Sequence, residues 1–117
     1  MKKIALLLAI LLLVATPIKA QAATPREAII MPSLTFTGTT ANCSVRIVGD
    51  ASNDYIEATI KLRSVSSVIQ TWYIMGTGFI DWEDTAQVTA GRYYMLTVDV
   101  IINDIPIGQV FADGSCN

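Results

Sequence analysis

The carboxylates around Trp82 are the side chains of this sequence best suited to catalysis. Asp81, Glu83 and Asp84 follow one another closely, with the indole of Trp82 among them. Two carboxyl groups at a fixed separation beside an aromatic ring can hydrolyse a glycosidic bond. That chemistry needs an acid whose pKa is raised by burial. Nothing in the sequence indicates such burial, so we expect a solvated acidic loop between two strands.

Other catalytic chemistries lack their residues. The chain contains no histidine, which removes the usual general base, the usual zinc ligand and the common nucleophilic triads. Lys61 is the only lysine after residue 22, and it falls on the polar side of an alternating segment. We therefore predict a protein that is not an enzyme and has no cofactor, with a carboxylate-based glycosidase as the alternative.

Two oxygen-rich segments leave calcium binding open. Asp50–Asp54 and Asp81–Asp84 supply carboxylates of the kind that bind calcium. Neither segment matches the EF-hand loop, and ordinary turn chemistry explains the same composition. The sequence predicts no metal site, and it does not decide whether the acidic loop takes up calcium.

Tyr55 and Trp82 are the aromatic side chains expected at the surface. Tyr55 lies on the polar side of its predicted strand, and Trp82 lies in the acidic segment. Exposed rings give a large contact area at a low entropic cost. Tyr55, Trp82, Asp81, Glu83 and Asp84 are thus the candidate binding residues. The competing interpretation of Trp82 is a ring that plugs one end of the core.

The N-terminus has the organisation of an export signal. Lys2 and Lys3 precede an unbroken apolar run over residues 4–15. This run is shorter than the roughly 20 residues that a membrane-spanning helix needs, and it is typical of a secretory signal. Small residues at Ala20 and Ala22 suit signal peptidase. We predict cleavage after residue 22 and a secreted, extracellular product with no stable membrane span, the alternative being an uncleaved anchor.

Removal of the leader makes the chain more acidic. Three of the eight basic residues lie within it, so five cations and all ten acidic residues remain, and the formal net charge moves from −2 to −5. A protein that neutralises phosphates needs a cluster of positive charge. Nucleic acid is therefore excluded as a partner, and an extracellular protein or a cell-wall component is predicted.

Cys43 and Cys116 are the only two cysteines, so one pairing is possible. Small exported domains commonly carry such a link. A bridge closing so long a loop contributes roughly 4 kcal/mol in the chain-entropy model. We predict a Cys43–Cys116 disulfide, with two buried free thiols as the alternative.

The hydrophobic pattern has a period of two almost throughout the remaining chain. Ile56, Ala58, Ile60 and Leu62 alternate with polar neighbours, which predicts a strand with one wet face. About seven such segments are separated by turn signals. The pattern predicts an all-β, antiparallel β-sandwich, with a small β-barrel as the alternative.

Finer features follow from local composition. Residues 23–33 are predicted as an extended lead-in and residues 34–117 as a single domain. Residues 79–90 are expected to hold an acidic loop followed by a short strand around Ala86–Val88. Asn103-Asp104 is expected to form a two-residue hairpin turn, and Trp72 is expected to fill the core.

Two features resemble immunoglobulin-like and fibronectin-like domains. One is Trp72 on a mid-chain strand, and the other is the segment Val88-Thr-Ala-Gly-Arg-Tyr-Tyr-Met-Leu-Thr-Val98. The resemblance implies a sandwich in which a tyrosine hydroxyl hydrogen-bonds to backbone at a corner. Tyr94 suits the alternation and Tyr93 suits the Gly-x-Tyr spacing, so both remain candidates. The cysteine spacing departs from the antibody pattern, so an antibody-type core bridge is not implied.

The chain as a whole also resembles small secreted proteins of unknown function from Gram-positive bacteria. The shared features are the leader, the early cysteine, the tryptophan strand, the Gly-x-Tyr-Tyr strand and the C-terminal cysteine. This resemblance implies compartment and fold but no activity. The predicted function is a secreted, non-catalytic binding domain of unknown ligand. The alternatives are a small carbohydrate-binding module, which requires Tyr55 or Trp82 on one exposed surface, and a secreted inhibitor or toxin-like protein.

Overall fold

The computed structural model describes residues 28–117, which form seven antiparallel strands. The predicted leader and residues 23–27 of the lead-in lie outside the described residues. The strands are β1 (Ile29–Thr37), β2 (Thr40–Val48), β3 (Tyr55–Arg63), β4 (Val68–Thr77), β5 (Phe79–Gln87), β6 (Tyr93–Ile102) and β7 (Ile105–Ser115).

The strands form two sheets, and the predicted all-β sandwich is confirmed. The three-stranded sheet has the order β1-β2-β5, and the four-stranded sheet has the order β4-β3-β6-β7. The chain crosses between sheets after β2, after β4 and after β5. In the constant-type immunoglobulin arrangement the fourth strand pairs with the fifth. Here β4 pairs with β3 instead, and this places β4 at an edge of the larger sheet.

Alternation of apolar residues builds the core between the two sheets. In β2, β3 and β6 every second side chain is buried, because successive residues of a strand point to opposite faces. The inward residues of these three strands are Ala41, Cys43, Val45, Ile47, Ile56, Ala58, Ile60, Leu62, Tyr94, Leu96, Val98, Val100 and Ile102. Partly buried side chains of the edge strands close the core at its margins.

Two strands differ from the sequence-based expectation. β1 begins at Ile29, inside the segment predicted as a lead-in, and it accommodates Pro32 because an edge strand tolerates a missing donor. The acidic loop predicted before Ala86 is wrong, since β5 is a continuous strand from Phe79 to Gln87. Charged residues suit an edge strand, because they face water there and oppose the addition of a further strand.

Asp54 joins three turns at one end of the sandwich. Its side chain is 1% exposed. One carboxylate oxygen accepts a hydrogen bond from the Ala51 amide at 2.9 Å, and the other accepts one from Asn103 Nδ2 at 2.9 Å. The backbone carbonyl of Asp54 accepts the Gly78 amide at 2.7 Å. The β2–β3, β4–β5 and β6–β7 connections are therefore held together by one residue.

The turns beside Asp54 have the backbone conformations that this arrangement requires. Asn103 and Asp104 have φ of 51° and 66°, which confirms the predicted two-residue turn of the type favoured in hairpins. Gly78 has φ of 79°, and a Cβ there would lie 2.7 Å from the Ser52 carbonyl oxygen. Glycine is therefore required where the β4–β5 turn passes the β2–β3 loop.

Tyr94 is the corner tyrosine at the opposite end. Its ring is 2% exposed, and its hydroxyl oxygen accepts a hydrogen bond from the Thr89 amide at 2.8 Å. The ring of Phe36 lies 6.0 Å from that of Tyr94. Tyr93 instead points outward and donates its hydroxyl proton to Asp113, and this hydrogen bond raises the pKa of the Tyr93 phenol. The alternation therefore identifies the corner residue correctly.

The predicted Cys43–Cys116 disulfide is absent from the structure, in which both residues are buried free thiols. Cys116 lies beside the β1–β2 turn and donates its thiol proton to the Gly38 carbonyl at 3.1 Å. Cys43 lies three residues into β2, about 10 Å along the strand from its start. Ala41 occupies the inward position between Cys43 and the turn, so the two thiols sit at different levels of the core.

We expect Asp54→Asn to lower the free energy of unfolding by about 1–3 kcal/mol. An amide keeps only one acceptor oxygen, so either the Ala51 amide or the Asn103 side chain loses its partner. Urea unfolding followed by circular dichroism measures the change. Asp50→Asn is the control, because Asp50 is exposed in the same loop, and its effect should stay within about 0.5 kcal/mol. Equal losses in both variants would refute the role assigned to Asp54.

We expect two thiols per chain to react with a disulfide reagent in guanidinium chloride without reductant, and neither to react promptly in the folded protein at pH 8. Burial, and secondarily the charge of Asp84, raises the pKa of Cys43 from 9.0 to about 11. Because the folded state favours the protonated thiol of Cys43, the contribution of this group to the free energy of unfolding is complete below pH 9 and declines as the pH approaches 11. If the denatured chain had no reactive thiol, the predicted Cys43–Cys116 disulfide would be correct after all.

Candidate functional site

The structure separates the predicted carboxylate cluster. Asp81 and Glu83 project from the outer face of the three-stranded sheet, because they alternate with the inward residues Ile80 and Trp82. Asp84 lies on the side of Trp82, where it accepts hydrogen bonds from Trp72 Nε1 at 3.0 Å and from the Thr85 amide at 2.7 Å. Glu83 and Asp84 therefore border one depression, whereas Asp81 lies outside it.

Trp82 closes the margin of the core between the edge strands β4 and β5. Its ring lies 5.0 Å from the ring of Trp72 in an edge-to-face arrangement, a geometry that aromatic pairs favour. Both indoles are half-buried against the core. Trp72 is thus at the margin of the core, rather than at its centre as the sequence suggested. Trp82 does not present a free ring to a ligand.

A shallow polar depression crosses the outer face of the three-stranded sheet. Its volume is about 520 Å³, and two carboxylates line it, Glu83 and Asp84. Small hydroxyl and amide side chains supply most of the remaining lining. They are Ser33, Thr35, Asn42, Ser44 and Thr85. Asp81 lies outside the depression, and Glu83 and Asp84 are both exposed, so the depression lacks the buried acid that glycoside hydrolysis requires.

Tyr55 belongs to a different surface from Trp82. It lies on the outer face of the four-stranded sheet, where its hydroxyl group donates to the Met75 sulfur at 3.2 Å. We use the name aromatic face for this outer surface and its exposed large side chains. They are Tyr55, Tyr73, Met75, Tyr93, Ile101 and Phe111. The predicted binding residues are therefore divided among two sheets and three surfaces.

Sequence analysis missed the most exposed members of the aromatic face. Tyr73 is 75% exposed and Met75 is 63% exposed, and both project from β4. The sequence feature that could have identified them is the composition of Val68–Thr77, which is apolar on both alternating sides of the strand. Since only the side bearing Trp72 and Ile74 packs against the core, the other apolar side has to face outward.

A row of polar groups crosses the aromatic face beside Tyr73. Thr59 pairs with Tyr73 on one side and with Asp99 on the other, and Asp99 pairs with Gln109. Gln109 Nε2 donates to both Asp99 carboxylate oxygens, at 3.0 and 3.1 Å. Adjacent strands lie about 4.8 Å apart, so this row spans about 10 Å. The face therefore combines a flat exposed ring with an ordered hydrogen-bonding row.

A second, smaller apolar patch lies at one end of the three-stranded sheet. Ile29, Val48 and Phe79 form one cross-strand row there, and Met31 adjoins it. The patch lies where the chain enters β1 from residues outside the described range. The next row of this face pairs Met31 with Arg46 and Arg46 with Asp81.

Two further features of the structure concern metal ions and membranes. Within residues 28–117, no group of three or more His, Cys, Asp or Glu side chains is arranged to hold a metal ion. The segments Asp50–Asp54 and Asp81–Asp84 serve as turn and strand, respectively, and Asp54 is engaged with the neighbouring turns. Over the same residues, no helix has the length and hydropathy to span a membrane.

Solved structures share the fold. The chain is similar to part of a Bacteroides uniformis β-glucuronidase 2 covalently bound to cyclophellitol-6-carboxylate aziridine. The TM-score is 0.50 at 14% identity, covering 76% of this chain but only 13% of the glucuronidase. It is also similar, with a TM-score of 0.44 and 15% identity, to the sensor domain of the anti-sigma factor RsgI4 in Pseudobacteroides cellulosolvens, covering 79% of this chain and 91% of that one.

The likeness to the glucuronidase bears on architecture only. At 14% identity the match to the glucuronidase shows a shared sandwich fold, and it spans a small part of that enzyme. No family model and no curated protein matches the chain. Function has to be argued from the surfaces of the domain, because a fold alone does not specify what a protein does.

We expect Trp82→Ala to destabilise the domain by about 2 kcal/mol, less than the 3–5 kcal/mol typical of a fully buried tryptophan. The change removes the packing partner of Trp72, so the fluorescence of the remaining tryptophan should shift to longer wavelength. Phe79→Ala is the matched control, because Phe79 is 61% exposed on the outer face of the same strand. A Trp82→Ala variant as stable as Phe79→Ala would contradict a structural role for Trp82.

Proposed function

We propose that the chain is an exported, non-catalytic binding domain that recognises a protein of the cell surface through the aromatic face. The observation that carries the proposal is the exposure of Tyr73, Met75 and Phe111 on one sheet face. Tyrosine, phenylalanine and methionine are enriched in protein interfaces. Large contiguous apolar surfaces on small soluble domains mark interaction sites.

The charges of the aromatic face suit binding to a specific partner rather than nonspecific adhesion. Glu57 and Lys61 lie on either side of Thr59 on the outer face of β3, and Asp99 pairs with Thr59 on the next strand. Polar groups placed among apolar ones fix register and discriminate between partners. The aromatic face therefore offers apolar contact area together with charges of both signs.

The absence of catalysis is part of the proposal. Asp81 and Glu83 are exposed, and Asp84 is occupied by Trp72 and the Thr85 amide. None of the three is placed in a water-excluding cleft of the kind that catalysis by a carboxylic acid requires. A binding role needs none of these features.

One observation favours a carbohydrate-binding module as the second candidate. The Tyr73 ring stands beside the ordered row of Thr59, Asp99 and Gln109. An exposed ring can stack on a sugar, and a fixed carboxylate–amide pair can bind its hydroxyl groups. In this second candidate function Tyr73 is the stacking residue in place of Trp82, because Trp82 packs against Trp72.

A retention assay on isolated Gram-positive cell walls, before and after protease treatment, tests both versions. The full-length sequence is expressed, and intact mass is used to check for a start near Ala23. We expect the protein to be retained on untreated walls and not on stripped ones. Tyr73→Ala should lose retention, because the most exposed ring of the face is removed, whereas Phe79→Ala on the other sheet should keep it.

The outcomes separate the two candidates. Retention that survives protease and is competed by soluble wall polysaccharide would replace the protein partner with a carbohydrate. Equal retention of the Tyr73→Ala and Phe79→Ala variants would remove the aromatic face from the proposal. No retention of the unaltered protein on either material would overturn a cell-surface partner.

A further inference from the structure

Over residues 70–77 the edge strand β4 lacks the protection found on the other three edges, since its one irregularity, the register shift opposite Leu62/Arg63, lies at the start of the strand. β1 contains Pro32, which cannot donate a backbone hydrogen bond. β5 carries three carboxylates within its nine residues. β7 contains Pro106 and faces a register shift at Val100/Ile101. By contrast, Val68–Thr77 contains neither a charged residue nor a proline.

An edge strand of this kind is a template for strand addition. Its outward backbone amides and carbonyls have no neighbouring strand within the sheet. Proteins normally blunt such edges with charge, proline or a bulge. β4 instead presents a run of β-branched and aromatic residues. Exposed side chains along it include Val68, Ile69, Tyr73 and Met75.

We propose that β4 pairs antiparallel with β4 of a second copy of the chain. The pairing joins two four-stranded sheets into one continuous eight-stranded sheet. This inference rests on the edge strand and does not depend on the partner proposed for the aromatic face. It assigns to the protein a two-fold symmetric dimer, the commonest form of homo-oligomer.

The side-chain alternation restricts the register. Residues directly opposite in an antiparallel pair share a face, so the two-fold axis has to pass midway between the two copies of one β4 residue. Trp72 points inward and is engaged with Asp84. Tyr73 is central and exposed. An axis at Tyr73 places the two Tyr73 rings opposite each other and pairs Thr71 of each copy with Met75 of the other.

Charge complementarity favours a second copy as the occupant. Like charges directly opposite destabilise a strand pair, and β4 paired with itself brings none together. On the next strands, Glu57 lies level with Met75 and Lys61 lies level with Thr71. In the register centred on Tyr73, Glu57 of each copy therefore shares a cross-strand row with Lys61 of the other, about 14 Å away, so the row aligns opposite rather than like charges although salt screens their attraction. The outer face then remains continuous across the junction.

Sedimentation equilibrium of the protein, purified after expression of the full-length sequence, tests the dimer. We expect twice the monomer mass at high micromolar concentration, and the monomer mass for Tyr73→Lys, which places two lysine side chains directly opposite each other at the two-fold axis. Thr35→Lys is the matched control on the edge strand β1 and should remain dimeric. A monomer throughout, or a Tyr73→Lys variant that still dimerises, would overturn the proposal. Circular dichroism establishes that both variants fold.

A cross-link tests the register independently of any loss of folding. In the proposed dimer two Tyr73→Cys residues have Cβ atoms about 5 Å apart, within reach of a disulfide. Mild oxidation should therefore give a covalent dimer in high yield. Thr77→Cys should not cross-link, because the two copies of position 77 would be about 26 Å apart. Equal cross-linking at both positions would refute this pairing.

Discussion

The hydrogen bonds of Asp54 are the constraint on which the two sheets depend at one end of the sandwich. A one-residue slip of any strand would turn its apolar residues outward, so the turns that set register matter as much as the core. Asp54 binds the Ala51 amide, the Gly78 amide and the Asn103 side chain. Asn103 in turn exchanges hydrogen bonds with the backbone of Tyr55. The start of β3 and the β6–β7 hairpin are thereby fixed to the same point.

The opposite end is held by packing rather than by a buried charge. Tyr94 binds the Thr89 amide, and Phe36 packs against the Tyr94 ring. Cys116 closes this end through its thiol, and its backbone exchanges hydrogen bonds with Gly91 and Arg92. The C-terminus is thus anchored by hydrogen bonds and burial without a covalent link. This is why the thiols can remain at different levels of the core.

The alternation of apolar and polar residues predicted most of the fold, and the predictions failed at the edge strands. The period of two in Ile56–Leu62 and the Asn103-Asp104 turn were predictable, because each depends on local pattern, whereas the sequence left both Tyr93 and Tyr94 open as the corner tyrosine. β5 was mistaken for a loop because its charges suppress the apolar signal, although they suit an edge strand. The candidate site was missed for a different reason. Which of the two apolar sides of β4 faces the core depends on pairing with β3, a non-local contact that sequence spacing does not specify.

The position of β4 links the two proposals physically. By joining β3 rather than β5, β4 places Tyr73 and Met75 on the outer face and leaves its own backbone at the margin of the larger sheet. Polar residues at the outward positions of β4 would have served the fold equally well, since only Trp72, Ile74 and their inward neighbours pack against the core. The outward apolar residues therefore add nothing to the core and expose the strand to unwanted association. Such a cost is understandable where the same residues contact a partner, as we propose for the four-stranded sheet.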